Sequence, residues 1–242
     1  MSPAAADSRT PPLLQTNLIA LKNLAIVVAG GSGTRMGAAV PKQFLPLCGK
    51  PVLMHTVEAF ASVPGMRVVV VLPESQIGTW EALCRQHGFC APTEVVAGGA
   101  SRHQSVRNGL AMWSGEELIG VHDGVRPLVS AAFIESVYAD ASRFGTSIPV
   151  LPSVESVRLV RLDGASRSVD RSSVMMVQTP QVFRSSILLD AYRQPESPLF
   201  TDDASVVEAN GGEIHLSEGL RGNIKLTTPA DMLMAEALMR KA

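Results

Sequence analysis

Four short runs of apolar residues, each followed by an amphipathic segment, constrain the fold of this chain more than any other feature of its sequence. The runs LAIVVAG, RVVVVLP, TEVVAGG and ELIGVHD begin at residues 24, 67, 93 and 117. Near-continuous apolar runs of this length are typical of strands buried on both faces, as in a parallel sheet. The intervening segments show helical periodicity; Val106, Leu110 and Trp113, for example, share one predicted helical face. This alternation predicts a doubly wound α/β fold with a mostly parallel, Rossmann-like sheet.

A different pattern begins after Pro152. A further helix is predicted over residues 130–144, with Gly145 as its stop, and strand-like stretches then flank the pair Asp163-Gly164. Asp-Gly between such stretches is a strong hairpin signal. A hairpin inserted here cannot bury both faces against the main sheet, so residues 153–178 are predicted to project as an arm that pairs with a second subunit. The helix–strand alternation is then expected to resume through EIHLSEG and IKLTT to a final helix that begins at Pro229.

At 242 residues the chain is long enough for one α/β domain with a sizeable core or for two small domains, and its composition is that of a globular protein. Residues 1–22 are mixed in polarity and contain Pro-Pro, so we expect a flexible tail before a single domain over 23–242. The sequence has 46% hydrophobic and 18% charged residues and a net charge of −1. That balance gives no global attraction to nucleic acid or to an anionic membrane. No apolar run reaches the roughly 18 residues of a membrane-spanning helix.

The cysteines and histidines do not form a recognisable metal or disulfide pattern. The three cysteines, Cys48, Cys84 and Cys90, are odd in number and lack CxxC spacing, which favours reduced thiols and a cytoplasmic protein. The five histidines are dispersed. His122, beside Asp123, is interpreted as a packed or turn histidine rather than a general base.

The loop after the first predicted strand is the first candidate for chemistry. Its sequence GGSGTR matches neither the dinucleotide-binding GxGxxG pattern nor a P-loop. Glycines at the carboxyl end of a strand free backbone N–H groups to bind phosphate. Arg35, and Lys42 seven residues later, supply two cations suited to charge neutralisation in phosphoryl or nucleotidyl transfer. A tight turn with both cations in solvent would have the same local pattern.

Two further segments end strands of the predicted sheet. In VHDGVRP, Asp123 suits a Mg²⁺ ion and Arg126 suits a phosphate, although an ordinary Asp-Gly turn is the alternative. In VVAGGASRHQSV, Ser101 is a predicted helix N-cap and Ser105 can reach a ligand at the same edge of the sheet. The alternative there is a well-capped helix without a ligand. Arg171 and Lys225 are further cations, of a kind that is usually solvated.

Taken in order, these motifs resemble those of a known family. AGGSGTRM, PKQF, AGGASRHQSV, HDGVRP, VDRSS, QTPQVF, TDDAS and NIKLTTPAD resemble the 2-C-methyl-D-erythritol 4-phosphate cytidylyltransferase family from about Asn23 to the C-terminus. The resemblance implies Mg²⁺-dependent transfer of CMP from CTP to methylerythritol phosphate in isoprenoid precursor biosynthesis, with release of pyrophosphate. It also implies a Rossmann-like domain whose arm interlocks a homodimer.

The resemblance carries roles onto matching positions of this sequence. Arg35 and Lys42 are expected to stabilise the transition state at the α-phosphate, and Arg171 and Lys225 to position the acceptor. The positions expected around CTP are Ala29, Gly30, Gly31, Gly33, Gly99, Ala100 and Ser105. The positions expected around the acceptor are Asp123, Arg126, Ser156 and Thr201, with Asp123 also on the magnesium side.

Two other functions remain open from the sequence. The glycine loop, the arginine and PKQ are shared with ribitol-5-phosphate cytidylyltransferases, so another polyol phosphate is an alternative acceptor. An inactive nucleotide-binding protein is the second alternative, against which the combination of Arg35, Lys42, Asp123, Arg171 and Lys225 argues. An NAD-dependent enzyme is disfavoured because the third glycine of the dinucleotide pattern is missing.

Overall fold

The computed structural model describes residues 23–30 and 40–240 of the chain. Its strands are β1 (Asn23–Val28), β2 (Pro46–Leu47), β3 (Lys50–Pro51), β4 (Met66–Leu72), β5 (Glu94–Ala97), β6 (Leu118–Asp123), β7 (Thr146–Pro152), β8 (Val157–Val160), β9 (Ser166–Val169), β10 (Met175–Val177), β11 (Gln181–Arg184) and β12 (Leu216–Glu218). Its α-helices are α1 (Val52–Ala61), α2 (Glu74–His87), α3 (Arg102–Leu110), α4 (Ala131–Phe144), α5 (Ser185–Ala191), α6 (Asp203–Ala209) and α7 (Pro229–Met239).

The main sheet has the order β10-β7-β11-β6-β1-β4-β5, and β12 pairs with β7. The four apolar runs form β1, β4, β5 and β6, which pair in parallel as predicted. The parallel pairing follows from the helical crossovers that separate these strands in the chain. The predicted doubly wound, mostly parallel α/β fold is therefore confirmed.

Two strands of the main sheet are antiparallel to their neighbours: β10, which pairs with β7 at the edge, and β11 in the interior. β11 lies between β6 and β7 and pairs antiparallel with both, with Val182 opposite Gly120 on one side and Ser147 on the other. β7 consequently runs in the same direction as β6 although the two are not adjacent. Nothing in the sequence pattern predicted this placement, because it is decided by pairing with strands that are distant in the chain.

Successive residues of the central strands supply two separate cores. In β1, Ala25 and Val27 pack into the core beneath α1, α2 and α4, while Leu24 and Ile26 pack into the core beneath α3, α5 and α6. All four of these side chains are fully buried. Helices therefore cover both faces of the sheet, which explains why its central strands read as continuous apolar runs.

Local signals set the ends of several helices. The side chains of Ser101 and Ser130 cap α3 and α4, and Gly145 ends α4 with a φ of 90°. That φ is one a glycine adopts without strain, so the predicted stop is confirmed. The prediction that Trp113 lies on the face of α3 is wrong: α3 ends at Leu110, and Trp113 lies in the following turn with 41% of its surface exposed.

The predicted hairpin is also present. β8 and β9 pair antiparallel as a separate two-stranded sheet, and Gly164 has a φ of 80° in the connecting turn. Arg161 N–H donates to the Ala165 carbonyl at 2.8 Å, so the loop contains three residues rather than the two-residue turn that Asp-Gly alone suggests. The hairpin shares no strand with the main sheet.

The end of the chain departs from expectation at one place. The segment IKLTT, expected to be a strand, forms none; Leu226 N–H donates to the Val125 carbonyl at 2.9 Å and holds the segment against the end of β6. α7 then begins at Pro229 as predicted. Within residues 23–30 and 40–240, the helices are too short and too polar for any of them to cross a bilayer.

Candidate active site

The carboxyl ends of the parallel strands meet at one edge of the sheet. Val28 of β1 is in register with Val71 of β4 and with Asp123 of β6, and Leu72 of β4 is in register with Ala97 of β5. The loops that follow these strands therefore start side by side. This edge is where open α/β sheets bind their ligands.

A cavity of about 460 Å³ lies at this edge. Its walls come from the loops after β1, β4, β5 and β6, from the Lys42–Phe44 turn and from the segment before α7. The lining residues that bear on function are Ala29, Gly30, Lys42, Gln43, Gly99, Ala100, Ser101, Arg102, Ser105, Asp123, Lys225 and Thr227. Eight of the predicted site positions are thus brought together in one cavity. A volume of this size suits a small-molecule site.

The first wall is the end of β1 with the PKQF turn. Ala29 N–H donates to the Val71 carbonyl at 2.9 Å, and the Ala29 carbonyl accepts from Gln43 Nε2 at 2.8 Å. Gln43 is fully buried and ties the short helix that carries Lys42 to the end of β1. The predicted site residues Gly31, Gly33 and Arg35 lie outside the described residues.

The second wall is the loop after β5 and the first turn of α3. Gly99 N–H donates to Ser105 Oγ at 3.1 Å, and Ser105 Oγ donates to the Ser101 carbonyl at 2.8 Å. A Cβ on Gly98 would lie 2.9 Å from Ser105 Oγ, so this close approach requires glycine. Ser105 lines the cavity, and its hydroxyl also closes the loop against the helix.

The third wall carries the predicted acidic and basic residues. Asp123 Oδ2 lies 3.0 Å from Lys225 Nζ and 3.1 Å from Arg126 Nε. Burial opposes ionisation of Asp123, but Lys225 and Arg126 outweigh it and hold the pKa of this carboxyl well below its ordinary range. Arg126 is mostly buried beside the cavity, where its Nη1 donates to the Asn223 carbonyl at 2.9 Å. Asp123, Arg126 and Lys225, predicted from distant parts of the sequence, form one cluster.

His122 is a structural residue, as interpreted from the sequence. It is fully buried, its Nε2 lies 3.2 Å from the Arg126 carbonyl, and its Nδ1 lies 3.0 Å from Thr179 Oγ1. Burial lowers the pKa of His122 to about 4, so the ring is neutral near pH 7. A neutral imidazole has one N–H, and because the Arg126 carbonyl can only accept, that N–H is at Nε2. Nδ1 is then an acceptor, so the Thr179 hydroxyl donates to it and accepts from Asp123 N–H at 3.1 Å. These bonds fix the backbone of the HDGVRP turn.

Besides Arg126, three predicted site residues among the described ones do not line the cavity. Ser156 lies at the base of the hairpin, and Arg171 lies in a short 3-10 turn after β9, where its Nη1 donates to the Val154 carbonyl at 3.3 Å. Thr201 precedes α6, where its N–H donates to Ser205 Oγ at 3.0 Å. All three are exposed. The single chain therefore does not bring Arg171 and Lys225 to the same cavity.

The structure adds site residues that the sequence analysis did not select. Gln43 and Thr227 each follow a selected lysine within two residues, and both line the cavity. Arg102 also lines it and forms an ion pair with Asp203, 101 residues away. Proximity to a chosen motif could have flagged Gln43 and Thr227. Arg102 and Asp203 likewise lie two residues after the selected positions Ala100 and Thr201. Proximity could therefore have flagged each of them, but only the fold shows that they pair.

Comparison with known proteins points to the same family as the sequence motifs. The model of the 2-C-methyl-D-erythritol 4-phosphate cytidylyltransferase family matches residues 23–241. Proteins of that name from Bacteroides thetaiotaomicron and Phocaeicola vulgatus are 49% and 51% identical to this chain. The alignments cover 90% and 88% of this chain, and 100% and 98% of those proteins. The crystal structure of the cytidylyltransferase of that name from Thermus thermophilus matches with a TM-score of 0.70 at 31% identity, over 90% of this chain and 99% of that one.

Proposed function

The chain belongs to the 2-C-methyl-D-erythritol 4-phosphate cytidylyltransferase family, and from that premise we propose how its cavity works. The reaction transfers CMP from CTP to 2-C-methyl-D-erythritol 4-phosphate and gives 4-diphosphocytidyl-2-C-methyl-D-erythritol and pyrophosphate. A phosphate oxygen of the acceptor forms a bond to the α-phosphorus of CTP, and the bond from that phosphorus to the pyrophosphate oxygen breaks. Both substrates are multiply charged and water-soluble, and we place the enzyme in the cytoplasm.

One observation carries this proposal: Lys42, Asp123 and Lys225 line the same cavity as the glycine-rich ends of β1 and β5. Glycine loops at strand ends suit a nucleotide and its phosphates. Lysines suit the charge that both substrates bring. The arrangement of these groups at one edge of the sheet is what a reaction between two phosphate anions requires.

We propose that CTP and the acceptor bind in different parts of the cavity. We place CTP against Ala29, Gly30, Gly99, Ala100 and Ser105, with Lys42 at its α-phosphate. The nucleophile is already an anionic oxygen, so the reaction needs no strong general base. The barrier lies in bringing two anions together in line, and fixed cations lower it by stabilising the charge that builds up at phosphorus. Arg35 is proposed to act with Lys42, as the family resemblance implies.

The acceptor is placed beside Asp123, Arg126 and Lys225. Asp123 holds the ammonium group of Lys225 at 3.0 Å, which restricts a long side chain that is otherwise 43% exposed. A restrained lysine presents its charge at one place without first losing rotamer freedom. Lys225 therefore positions the acceptor phosphate for attack, and Thr201 is proposed to contact the acceptor at the edge of the cavity.

Asp123 is also the proposed ligand for a divalent cation, Mg²⁺ in the first instance. The residues present fit such an ion in one respect: Mg²⁺ commonly uses one or two carboxylates together with substrate phosphates. No group of three or more possible acidic, histidine or cysteine ligands occurs within the described part of the chain. The remaining ligands would therefore come from the phosphates and water. When bound, the ion would supply neutralisation of phosphate charge.

The arm is proposed to make a homodimer. Its apolar side chains Leu159, Val160 and Leu162 are exposed, as are Met175, Met176 and Val177 at its base. Exposed apolar surface of this extent favours a protein interface. Because Arg171 and Ser156 lie away from their own cavity, we propose that residues 153–178 carry them to the acceptor site of a second copy. Residues 23–242 would then act as one catalytic domain in each subunit.

An assay of pyrophosphate release tests the function. CTP with methylerythritol phosphate should support turnover, and CTP with ribitol 5-phosphate should give a far lower kcat/KM. Lys42→Ala should lower kcat by about 10²–10³-fold if Lys42 acts like a transition-state donor. Lys50→Ala is the matched control, because Lys50 pairs with Glu58 on α1 and does not line the cavity.

Three results would count against the proposal. A preference for ribitol 5-phosphate would overturn the acceptor assignment. No turnover with either acceptor, despite CTP binding, would favour an inactive nucleotide-binding protein. A monomer by analytical ultracentrifugation at micromolar concentration would overturn the dimer, whereas a dimer dissociated by Leu162→Asp would support it.

A further inference from the structure

Arg102 joins the open cavity to a buried carboxylate. It is the first residue of α3, and its Nη1 and Nη2 donate to Oδ1 and Oδ2 of Asp203 at 3.2 and 2.5 Å. The Asp203 side chain is completely buried, while the Arg102 side chain is 33% exposed and lines the cavity. One end of this ion pair is therefore sealed and the other is accessible to a ligand.

A second donor fixes the carboxylate. Tyr192 Oη donates to Asp203 Oδ1 at 2.6 Å, and Tyr192 is itself almost fully buried. Burial and the neighbouring Asp203 raise the pKa of Tyr192 far above its ordinary range, so the hydroxyl keeps its proton and remains a donor. The Tyr192 ring stacks on His103, with ring centroids 4.7 Å apart and an angle of 17° between the planes. Tyr192, itself restrained by burial and by this stacking, therefore fixes the position of the Asp203 carboxylate.

A buried ion pair of this kind is weak evidence for a role in stability, because the cost of removing both charges from water offsets much of their attraction. Its placement suggests another role. Arg102 directly follows the loop at Ala100 that is proposed to contact CTP, and Asp203 follows Thr201 on the proposed acceptor side. Arg102 also lines the same cavity as Asp123 and Lys225 of the proposed acceptor site.

We propose that Arg102 is a further substrate-binding residue that donates hydrogen bonds to the acceptor phosphate, and that Asp203 and Tyr192 are positioning residues for it. This inference rests on the proposed function. A guanidinium group has five N–H donors, of which Asp203 engages two, and its planar fork matches two oxygens of a phosphate. Asp203 balances the charge of Arg102. Arg102 therefore offers the acceptor phosphate hydrogen-bond donors in a fixed direction more than it offers net positive charge.

Steady-state kinetics with each substrate varied separately test the proposal. A hydrogen bond to a charged group corresponds to about a 10–100-fold change, so Arg102→Gln should raise the KM for methylerythritol phosphate by that factor. The KM for CTP should change much less. Arg102→Lys should not restore the KM, because an ammonium group lacks the planar fork. Arg107→Gln, which removes an exposed cation from the same helix, is the matched control and should leave both KM values unchanged.

Tyr192→Phe separates positioning from general stability. It removes one hydroxyl and keeps the ring that stacks on His103, so the fold should persist by circular dichroism. The KM for the acceptor should rise by a smaller factor than in Arg102→Gln, with the KM for CTP unchanged. An unchanged acceptor KM in both variants, whatever the melting temperature, would overturn the proposal and leave the pair purely structural. A selective rise in the KM for CTP would also overturn it. Wild-type protein without turnover would instead refute the proposed function.

Discussion

The ion cluster at the amino-terminal edge of the sheet, opposite the cavity, provides a quantitative test of the structure. Glu116 is 1% exposed, and its Oε1 accepts from Arg67 Nη1 at 2.8 Å and from Ser114 Oγ at 3.0 Å, while its Oε2 accepts from Ser114 N–H at 2.7 Å. Burial alone would raise the pKa of Glu116. The donors from Ser114 and Arg67 outweigh it and lower that pKa from 4.5 to about 2.

The size of this shift sets the expected effect of Glu116→Gln. One pKa unit corresponds to about 1.4 kcal/mol, so the shift predicts that ionised Glu116 contributes roughly 3 kcal/mol to the free energy of unfolding. A glutamine amide has the same shape but only one acceptor oxygen for three donors. Glu94→Gln is the matched control, because Glu94 also pairs with Arg67, at 2.6 Å, but is 44% exposed. An exposed pair contributes about 1 kcal/mol or less.

Urea unfolding of the wild type and both variants from pH 7 to pH 3 measures these terms. Because the folded pKa of Glu116 is depressed, its stabilisation is complete above about pH 4.5, the unfolded value, and is lost as the pH falls toward 2. The difference in the free energy of unfolding between wild type and Glu116→Gln should therefore be constant near neutral pH and should decrease below pH 4.5. This reasoning would be refuted if Glu116→Gln lowered the free energy of unfolding by no more than Glu94→Gln does. It would also be refuted if the difference between wild type and Glu116→Gln stayed constant down to pH 3.

Three further predictions concern the strands and the cavity. In Gly120→Ala the new Cβ would lie 2.8 Å from Cζ of Tyr138, so the thermal melt should show a loss of about 1–3 kcal/mol from overpacking. Asp123→Asn removes the charge that holds two cations, and kcat/KM should fall by about 10–100-fold; wild-type activity would contradict the assigned role. Ser101→Ala and Ser130→Ala each remove a helix cap and should cost about 1 kcal/mol in unfolding experiments. Only Ser101→Ala should also raise the KM for CTP, because only Ser101 lines the cavity.

Elements decided by local chemistry could be predicted from the sequence. The four apolar runs became parallel strands. β1, β4 and β6 are mostly buried, as expected for a sheet covered on both faces, whereas the edge strand β5 is only partly buried. Gly145 ended α4, and Asp163-Gly164 marked the hairpin, because each supplies a backbone conformation that most residues avoid. The antiparallel position of β11 could not be predicted, since it depends on pairing with two distant strands.

The candidate site also contains residues whose placement could be predicted from the sequence and residues whose placement could not. Asp123 and Lys225 were selected from separate motifs and lie 3.0 Å apart, because β6 and the segment before α7 end at the same edge of the sheet. Arg171 was selected with equal reason, but the fold of one chain leaves it exposed on the arm. A motif predicts that a residue suits phosphate, but not where the fold places it; under the proposed dimer, Arg171 would act in the cavity of a second copy.

The attachment of the arm has a consequence for how such a chain can change. Pro152 and Met175 are cross-strand partners in β7 and β10, so the polypeptide leaves and re-enters the sheet at adjacent positions. The 22 residues between them can therefore lengthen, shorten or be exchanged as a cassette without shifting the register of any strand in the sheet. None of these 22 residues lines the cavity, so such changes would leave its described walls in place. They would alter only the surface through which the proposed dimer forms.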